Sequence, residues 1–412
     1  MHTLNFKKLF MILFSLALTA SAQVKPGIEN LRDSDFKILR GKRVGLITNP
    51  TGISSNFETT IDILAKAKNV KLVALFGPEH GVRGDVTAGG HVESYVDSIT
   101  QLPVYSLYGK TRKATPEMLK GIDVLVYDIQ DIGSRSYTFI NTMAYGMEAA
   151  AENNIEFVVL DRPNPLNGNR VEGNILDMNF RSFVGQYAIP YVYGMTCGEL
   201  AAMLNEEGML EGRKKCRLTV VPMKNWKRSM NWEETKLPWV LTSPHVPTAQ
   251  TALLYSAVGI LGELQTVNIG VGYTMPFRLI GAQWINGKKL ADALNAKKLE
   301  GVYFRPLSYK PYYGDQKDKQ LSGVEIYLTD EKKVHLTDIQ IHVIETLIKL
   351  YPGNNPFALA DSSRNAMFDK VMGTDRVRKA LMEGKSAESI IETWKEPIAQ
   401  FMKIRKKYFR YE

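Results

Sequence analysis

The stretch KLVALFGPEHGVRGDVTAGG, residues 71–90, decides how this chain is read. Residues 72–76 are apolar without interruption, as a strand buried on both faces requires. The run stops at Gly77-Pro78. Glu79, His80, Arg83 and Asp85 follow at once, with Gly81, Gly84, Gly89 and Gly90 among and after them. A buried strand is rigid, and the glycine-rich loop at its carboxyl end is free to carry chemistry. The rest of the chain is then expected to bring further polar groups to Glu79 and His80.

The same pattern recurs on both sides. Residues 43–49 read as a strand ending in TNPTG. Residues 102–105, 123–127 and 157–160 read as further strands, the last two ending in DIQD and DRPNP. Helical periodicity covers about 59–68 and 137–153. Thr115-Pro116-Glu117 offers another helix start, a cap followed by proline. Strands alternating with helices predict an α/β fold, a mostly parallel sheet with helices on both faces. Asn49, Glu79, His80, Asp128, Asp131, Asp161, Arg162 and Asn164 would then share one edge of that sheet. No Gly-x-Gly-x-x-Gly opens the first helix, which excludes a dinucleotide site of the usual kind.

Further along, Thr196-Cys197-Gly198-Glu199 is a capping box. Residues 217–222 are strand-like, and 241–247 (LTSPHVP) form a proline-punctuated loop holding His245. An apolar run at 252–262 leads into a polar, glycine-bearing loop that opens with Glu263. The texture changes around Trp284. Strands are expected at 302–306 and 323–328, and helices at 337–350, 376–383 and 387–401. A boundary near 285 separates a first unit, 23–285, from a smaller C-terminal α+β unit, 286–412.

With 412 residues and 44% hydrophobic content, the chain is long enough for a large core. The formal charge of +9 is spread out, with clusters only at 213–215 and 403–407, and no nucleic-acid motif accompanies them. Lys7-Lys8, an apolar run at 9–20 and Ala20-Ser21-Ala22 read as a signal peptide, residues 1–22, cut after Ala22. An uncleaved anchor is the alternative, but the run is short for a span. No cysteine sits near the cut, which argues against a lipoprotein. No other stretch is long enough to span a bilayer, so an exported protein, periplasmic or secreted, is expected, with no stable membrane insertion. Cys197 and Cys216 are expected as free, buried thiols.

Several motifs then form one ordered series: GLITNPTG at 45–52, FGPEHGVRG at 76–84, VYDIQDIGSRSYTFI at 126–140, LDRPNPLNG at 160–168, YGMTCGEL at 193–200, SPHVPT at 243–248 and GVYFRP at 301–306. The series resembles the exo-acting β-N-acetylmuramidases, long known as a domain of unknown function. The resemblance runs over about residues 30–410. It implies a Rossmann-like domain plus a smaller C-terminal domain with a cleft between them. It implies removal of N-acetylmuramic acid from the non-reducing end of peptidoglycan-derived muropeptides or disaccharides, without a cofactor. By motif it carries over Glu79 and His80, then Asp128, Gln130, Asp131 and Arg135, then Asp161, Arg162 and Asn164. The family's Glu-Gly-Thr-Asn loop, ending in Gly-Arg-Gly-Thr-Thr, departs here. Glu263-Leu264-Gln265-Thr266 stands at its start and Gly270-Val271-Gly272-Tyr273-Thr274 at its end.

Glycoside hydrolysis needs a proton donor for the leaving oxygen and a second group for the oxocarbenium-like centre. Glu79 is the proton-transfer residue on this reading, with His80 beside it. Asp128 or Asp131 supplies the second carboxylate, or both are turn-capping aspartates. Arg135 or Arg162 grips the lactyl carboxylate, or Asp161-Arg162 is a structural ion pair. Asn49, Arg83, Gln130, His245 and Glu263 complete the expected substrate contacts. Tyr137 and Trp284 stack on sugar or belong to the core. Two other classes stand beside this one. A metal-dependent hydrolase would use His80, Asp85, His91 and Asp128, at spacings that match no standard ligand signature. A non-catalytic protein would capture cell-wall sugars.

Overall fold

The structure, a computed structural model, describes residues 22–84 and 94–412. Residues 1–21 of the expected signal segment lie outside it, as do Asp85 and His91.

Seven strands form the main sheet: β1 (Arg43–Thr48), β2 (Lys71–Gly77), β3 (Tyr95–Val96), β4 (Pro103–Ser106), β5 (Val124–Asp128), β6 (Glu156–Leu160) and β9 (Arg217–Val221). Their order is β3-β4-β2-β1-β5-β6-β9, and every pair is parallel except β3 with β4. The register brings Ile47 opposite Phe76 and Thr48 opposite Asp128, so the polar turns after β1, β2 and β5 share one edge.

Two-residue alternation distributes each strand between the faces. Val44, Leu46, Val124, Val126, Val158 and Leu160 pack with Ile28, Ile61 and Leu64 of helices Gly27–Asp33 and Thr60–Lys66. Ile47, Leu125, Tyr127, Phe157 and Val159 pack with Met143, Met147, Leu200 and Leu204 of helices Phe139–Glu152 and Cys197–Glu206. Both faces are buried, which is why these strands read as continuous apolar runs. The Thr196 capping box starts the second of those helices as expected. A short ribbon, β7 (Glu172–Ile175) with β8 (Pro190–Val192), lies outside the sheet.

The smaller sheet is antiparallel, in the order β10 (Leu279–Ala282), β12 (Leu321–Leu328), β11 (Val302–Tyr309). β10 precedes the boundary expected near 285, yet it pairs with β12 along its whole length. Helix Ala249–Gly262 packs against helix Leu336–Leu350, and one continuous core runs from Ile47 to Phe401. The chain beyond 404 returns to the first unit. Arg405 donates to the Gly194 carbonyl at 2.6 Å, and the Tyr411 hydroxyl donates to Asp161 at 2.6 Å.

Some expectations change. After Thr115-Pro116 the chain makes only a turn, ended by Gly121 at φ +79°. The helix expected over 387–401 is two, Ala387–Glu392 and Lys395–Arg405. Pro397 has no N–H to give Thr393, and its ring obstructs that carbonyl. Both cysteines are free and buried. No described helix is long and apolar enough to cross a membrane.

Candidate active site

Glu79 follows β2 by two residues and is half-buried. The Thr138 hydroxyl donates to its Oε2 at 2.9 Å. Thr138 is the N-cap of helix Phe139–Glu152, yet its side chain makes no capping bond and is turned to donate to Glu79 instead. The carboxylate therefore sits at the positive end of a helix. Tyr108 is a further neighbour; burial first, and Glu79 second, push that phenol up to about 12.

His80 is buried and holds φ +72°, followed by Gly81 at +76°. A non-glycine residue in this region is uncommon, and such conformations cluster at working sites. His245 enters from the 241–247 loop. Tyr137 fixes that loop by donating to Thr242 Oγ1 at 2.8 Å. Burial, and then the charge of His80, lower the His245 pKa, and its Nε2 shares a hydrogen bond with the Tyr313 hydroxyl at 3.0 Å.

Glu263 comes from the other side. It ends helix Ala249–Gly262, where negative charge is disfavoured. Burial raises its pKa, opposed by Arg364 on helix Ser362–Met372. Among the described residues its carboxyl has no hydrogen-bond partner. Tyr191 and Tyr255 both feel its charge, and their hydroxyls meet on Ser136 Oγ at 2.9 and 3.0 Å. Tyr137 feels Glu79 and stands edge-on to Tyr255, with centroids 5.6 Å apart. Glu79 and Glu263 thus share one floor of tyrosines.

Most of the other expected site residues are engaged in bonds within the fold. Asp128 is fully buried and takes two hydrogen bonds from Arg162, through Nε and Nη2, and one from Thr60. Arg162 spends Nη2 on the Ile53 carbonyl as well, at 2.7 Å. The two side chains are committed to each other as a structural ion pair, in place of the second carboxylate and the lactyl grip expected of them. Arg135 is 1% exposed and donates to the carbonyls of Asn174, Ile189, Val371 and Met372, so it is not a substrate grip. Burial lowers its pKa to about 10.

Asp161 accepts from Arg162 N, Gly198 N, Thr196 and Tyr411, which makes it a joint between strand end, helix start and C-terminal tail. Asp131 accepts from Tyr193 and Gly133 N, and its Oδ1 has no partner among the described residues. Burial pushes both aspartates up to about 6. Asn49 accepts from Thr51, Gln130 donates to the Asp131 and Pro163 carbonyls, and Asn164 bridges Met195 and Leu166. Arg83 forks onto Asp97 at 3.0 and 2.9 Å and helps hold that carboxyl down at about 2. Trp284 packs edge-on to Tyr351, and Tyr137 is 9% exposed, so both belong to the packing.

The structure therefore gathers Glu79, His80, His245 and Glu263. It adds Thr138, Tyr108, Tyr255, Tyr313 and Arg364, which the sequence reading did not name. Only Thr138 carried a cue, as a cap residue ahead of an apolar helix.

Two carboxyl groups in unlike surroundings, acting on one cluster of tyrosines, are the equipment of a glycoside hydrolase. Here an α/β sheet carries it. The chain belongs to the exo-β-N-acetylmuramidase NamZ family: the family's N-terminal model matches residues 44–250 and its C-terminal model 253–411. The chain is 47% identical over 389 residues to the peptidoglycan β-N-acetylmuramidase NamZ of Bacillus subtilis (strain 168), covering 94% of this chain and 92% of that one. Two crystal structures of DUF1343 family proteins from Bacteroides fragilis NCTC 9343 are similar. One has 52% identity and a TM-score of 0.91, the other 32% and 0.75; each match covers 95% of this chain and 99% of the other.

Proposed function

We propose that this protein is an exported exo-β-N-acetylmuramidase, which removes N-acetylmuramic acid from the non-reducing end of peptidoglycan fragments. The observation that carries the reading is the setting of Glu79. It stands at the end of a buried strand, held by Thr138 at a helix start, with a second carboxyl group across the tyrosine floor. Glu79 delivers the proton to the leaving glycosidic oxygen. Glu263 is the second carboxyl group, in the role expected of Asp128 or Asp131. His80 and His245 line the same side.

Arg135 and Arg162 are engaged, so Arg364 is the cation offered to the lactyl carboxylate. It acts on Glu263, and the described residues give its guanidinium no ion pair. A carboxylate contact of this kind distinguishes muramic acid from N-acetylglucosamine.

The test is turnover of a chromogenic β-N-acetylmuramide. Glu79→Gln is expected to fold normally and lose at least about two orders of magnitude, the usual weight of a positioned acid–base group. Near-normal turnover by that variant would end its assignment. Wild-type turnover retained in EDTA removes the metal-dependent reading, and turnover of any kind removes the purely binding one. Equal rates on the muramide and the matching glucosaminide would refute the carboxylate contact. Early mid-sized products from intact glycan strands would refute the exo mode. Export rests on the N-terminal charge and apolar pattern; mass spectrometry of native protein that still carries residues 1–22 would refute it.

A further inference from the structure

The loop between β11 and β12 carries two adjacent aromatic residues, Tyr312 and Tyr313, which are 62% and 49% exposed. Each ring is nevertheless held on one face. Tyr312 stacks on Tyr273, with centroids 5.3 Å apart and planes 24° apart. Tyr313 lies nearly parallel to the His245 imidazole, at 6.2 Å and 17°, and bonds its Nε2 through the hydroxyl at 3.0 Å. The backbone is tied down as well. Tyr312 N donates to the Gly272 carbonyl at 2.7 Å. Gly272 has φ +93°, and a Cβ there would fall 2.4 Å from the Tyr313 carbonyl oxygen. Only glycine lets the two loops meet this closely.

Fixing an exposed tyrosine costs side-chain entropy that solvent contact alone does not return. Two adjacent rings ordered this way, and still 62% and 49% exposed, offer aromatic surface to something flat. Their place says what. Tyr313 is bonded to His245, whose loop is pinned by Tyr137, and the next residue, Thr138, holds Glu79. The rings thus stand on the small-sheet unit where its β11–β12 loop meets the His245 loop, linked through Tyr137 and Thr138 to the proton donor.

We propose that Tyr312 and Tyr313 form an aromatic platform for the sugar on the leaving-group side of the scissile bond. This rests on the muramidase reading. The terminal muramic acid occupies the inner cleft beside Glu79 and Glu263, and the next sugar lies outward at the rim. A pyranose ring presents a C–H face that packs on an aromatic face, while its hydroxyls stay in water.

The experiment compares two substrates: β-muramyl fluoride, whose leaving group has no ring, and the muramic acid–N-acetylglucosamine disaccharide. Tyr312→Ala and Tyr313→Ala are each expected to lower kcat/KM on the disaccharide roughly tenfold, mainly through KM, with a much smaller change on the fluoride. Tyr313→Phe keeps the ring and loses the His245 bond, and is expected to retain most of the disaccharide activity. Equal losses on both substrates, or no loss on the disaccharide, overturn the platform. A Phe variant as poor as the Ala variant overturns it for Tyr313. Wild-type protein inactive on both substrates overturns the muramidase reading, and the platform falls with it.

Discussion

Asp128 and Glu79 each follow an apolar run at the same edge of the same sheet, and their side chains meet different surroundings. Asp128 has both oxygens bonded by Arg162 and Thr60, while Glu79 is half-buried and held by the Thr138 hydroxyl. Nothing in the local sequence separates the two cases. The partner that retires Asp128 comes from the turn after the neighbouring strand, and the hydroxyl from a helix 68 residues upstream. Glycine and proline mark a sharp break after the strand that precedes Glu79 and His80, and the sequence shows that break without showing what the side chains meet. The role of Arg135 was not legible, because its four carbonyl acceptors come from β7, from the segment before β8, and from helix Ser362–Met372, all assembled only by folding.

Buried aspartates give the residue scale a prediction. Asp131 and Asp161 hold their protons up to about pH 6 in the folded protein. The unfolded chain releases them near the ordinary aspartate value. The folded state therefore binds more protons between about pH 4 and pH 6, and these groups make stability fall as pH rises through that window. Asp131→Asn should flatten this fall while leaving its bonds from Tyr193 and Gly133 a carbonyl acceptor. Urea midpoints at pH 4 and pH 7 measure it; a variant with the wild-type slope contradicts the assignment.

At the scale of elements, helix starts were read well where the cap does the capping. Thr196 accepts from Glu199 N and fixes its helix. Thr138 shows another use of the same position, since its hydroxyl serves Glu79. Thr138→Val should thus cost the helix little, because no capping bond is lost. It should lower kcat/KM on the chromogenic muramide about tenfold, the weight of one hydrogen bond to a charged group. A large drop in melting temperature with normal kinetics would reverse that account. The two failures at this scale, after Thr115-Pro116 and at Thr393, both come from residues further along, Gly121 and Pro397, that outweigh a good local start.

At the scale of the whole molecule, the parallel sheet was legible from strand texture alone, and the extent of the second unit was not. β10 is a four-residue apolar strand like any in the first sheet, and only its antiparallel pairing with β12 assigns it. The two family models meet between residues 250 and 253, at the start of the helix that packs against Leu336–Leu350. The units also share a core and a tail. Removing residues 405–412 should expose the Asp161 joint and the Gly194 carbonyl, and lower the melting temperature of the entire protein in a single transition. A separate, unchanged transition for the first unit would contradict this.

The Asp161–Tyr411 bond spans 250 residues of sequence. During synthesis that separation is a delay. At ordinary elongation rates about 10–50 s pass between the emergence of the strand end and the arrival of the side chain that closes over it. A nascent chain halted at residue 400 already contains Glu79, His80, His245, Glu263 and Arg364, yet it lacks Tyr411, and its main sheet is unsealed. Ribosome-bound chains of that length should be cut by protease within the first unit, and chains extended past 412 by a linker long enough to clear the exit tunnel should resist.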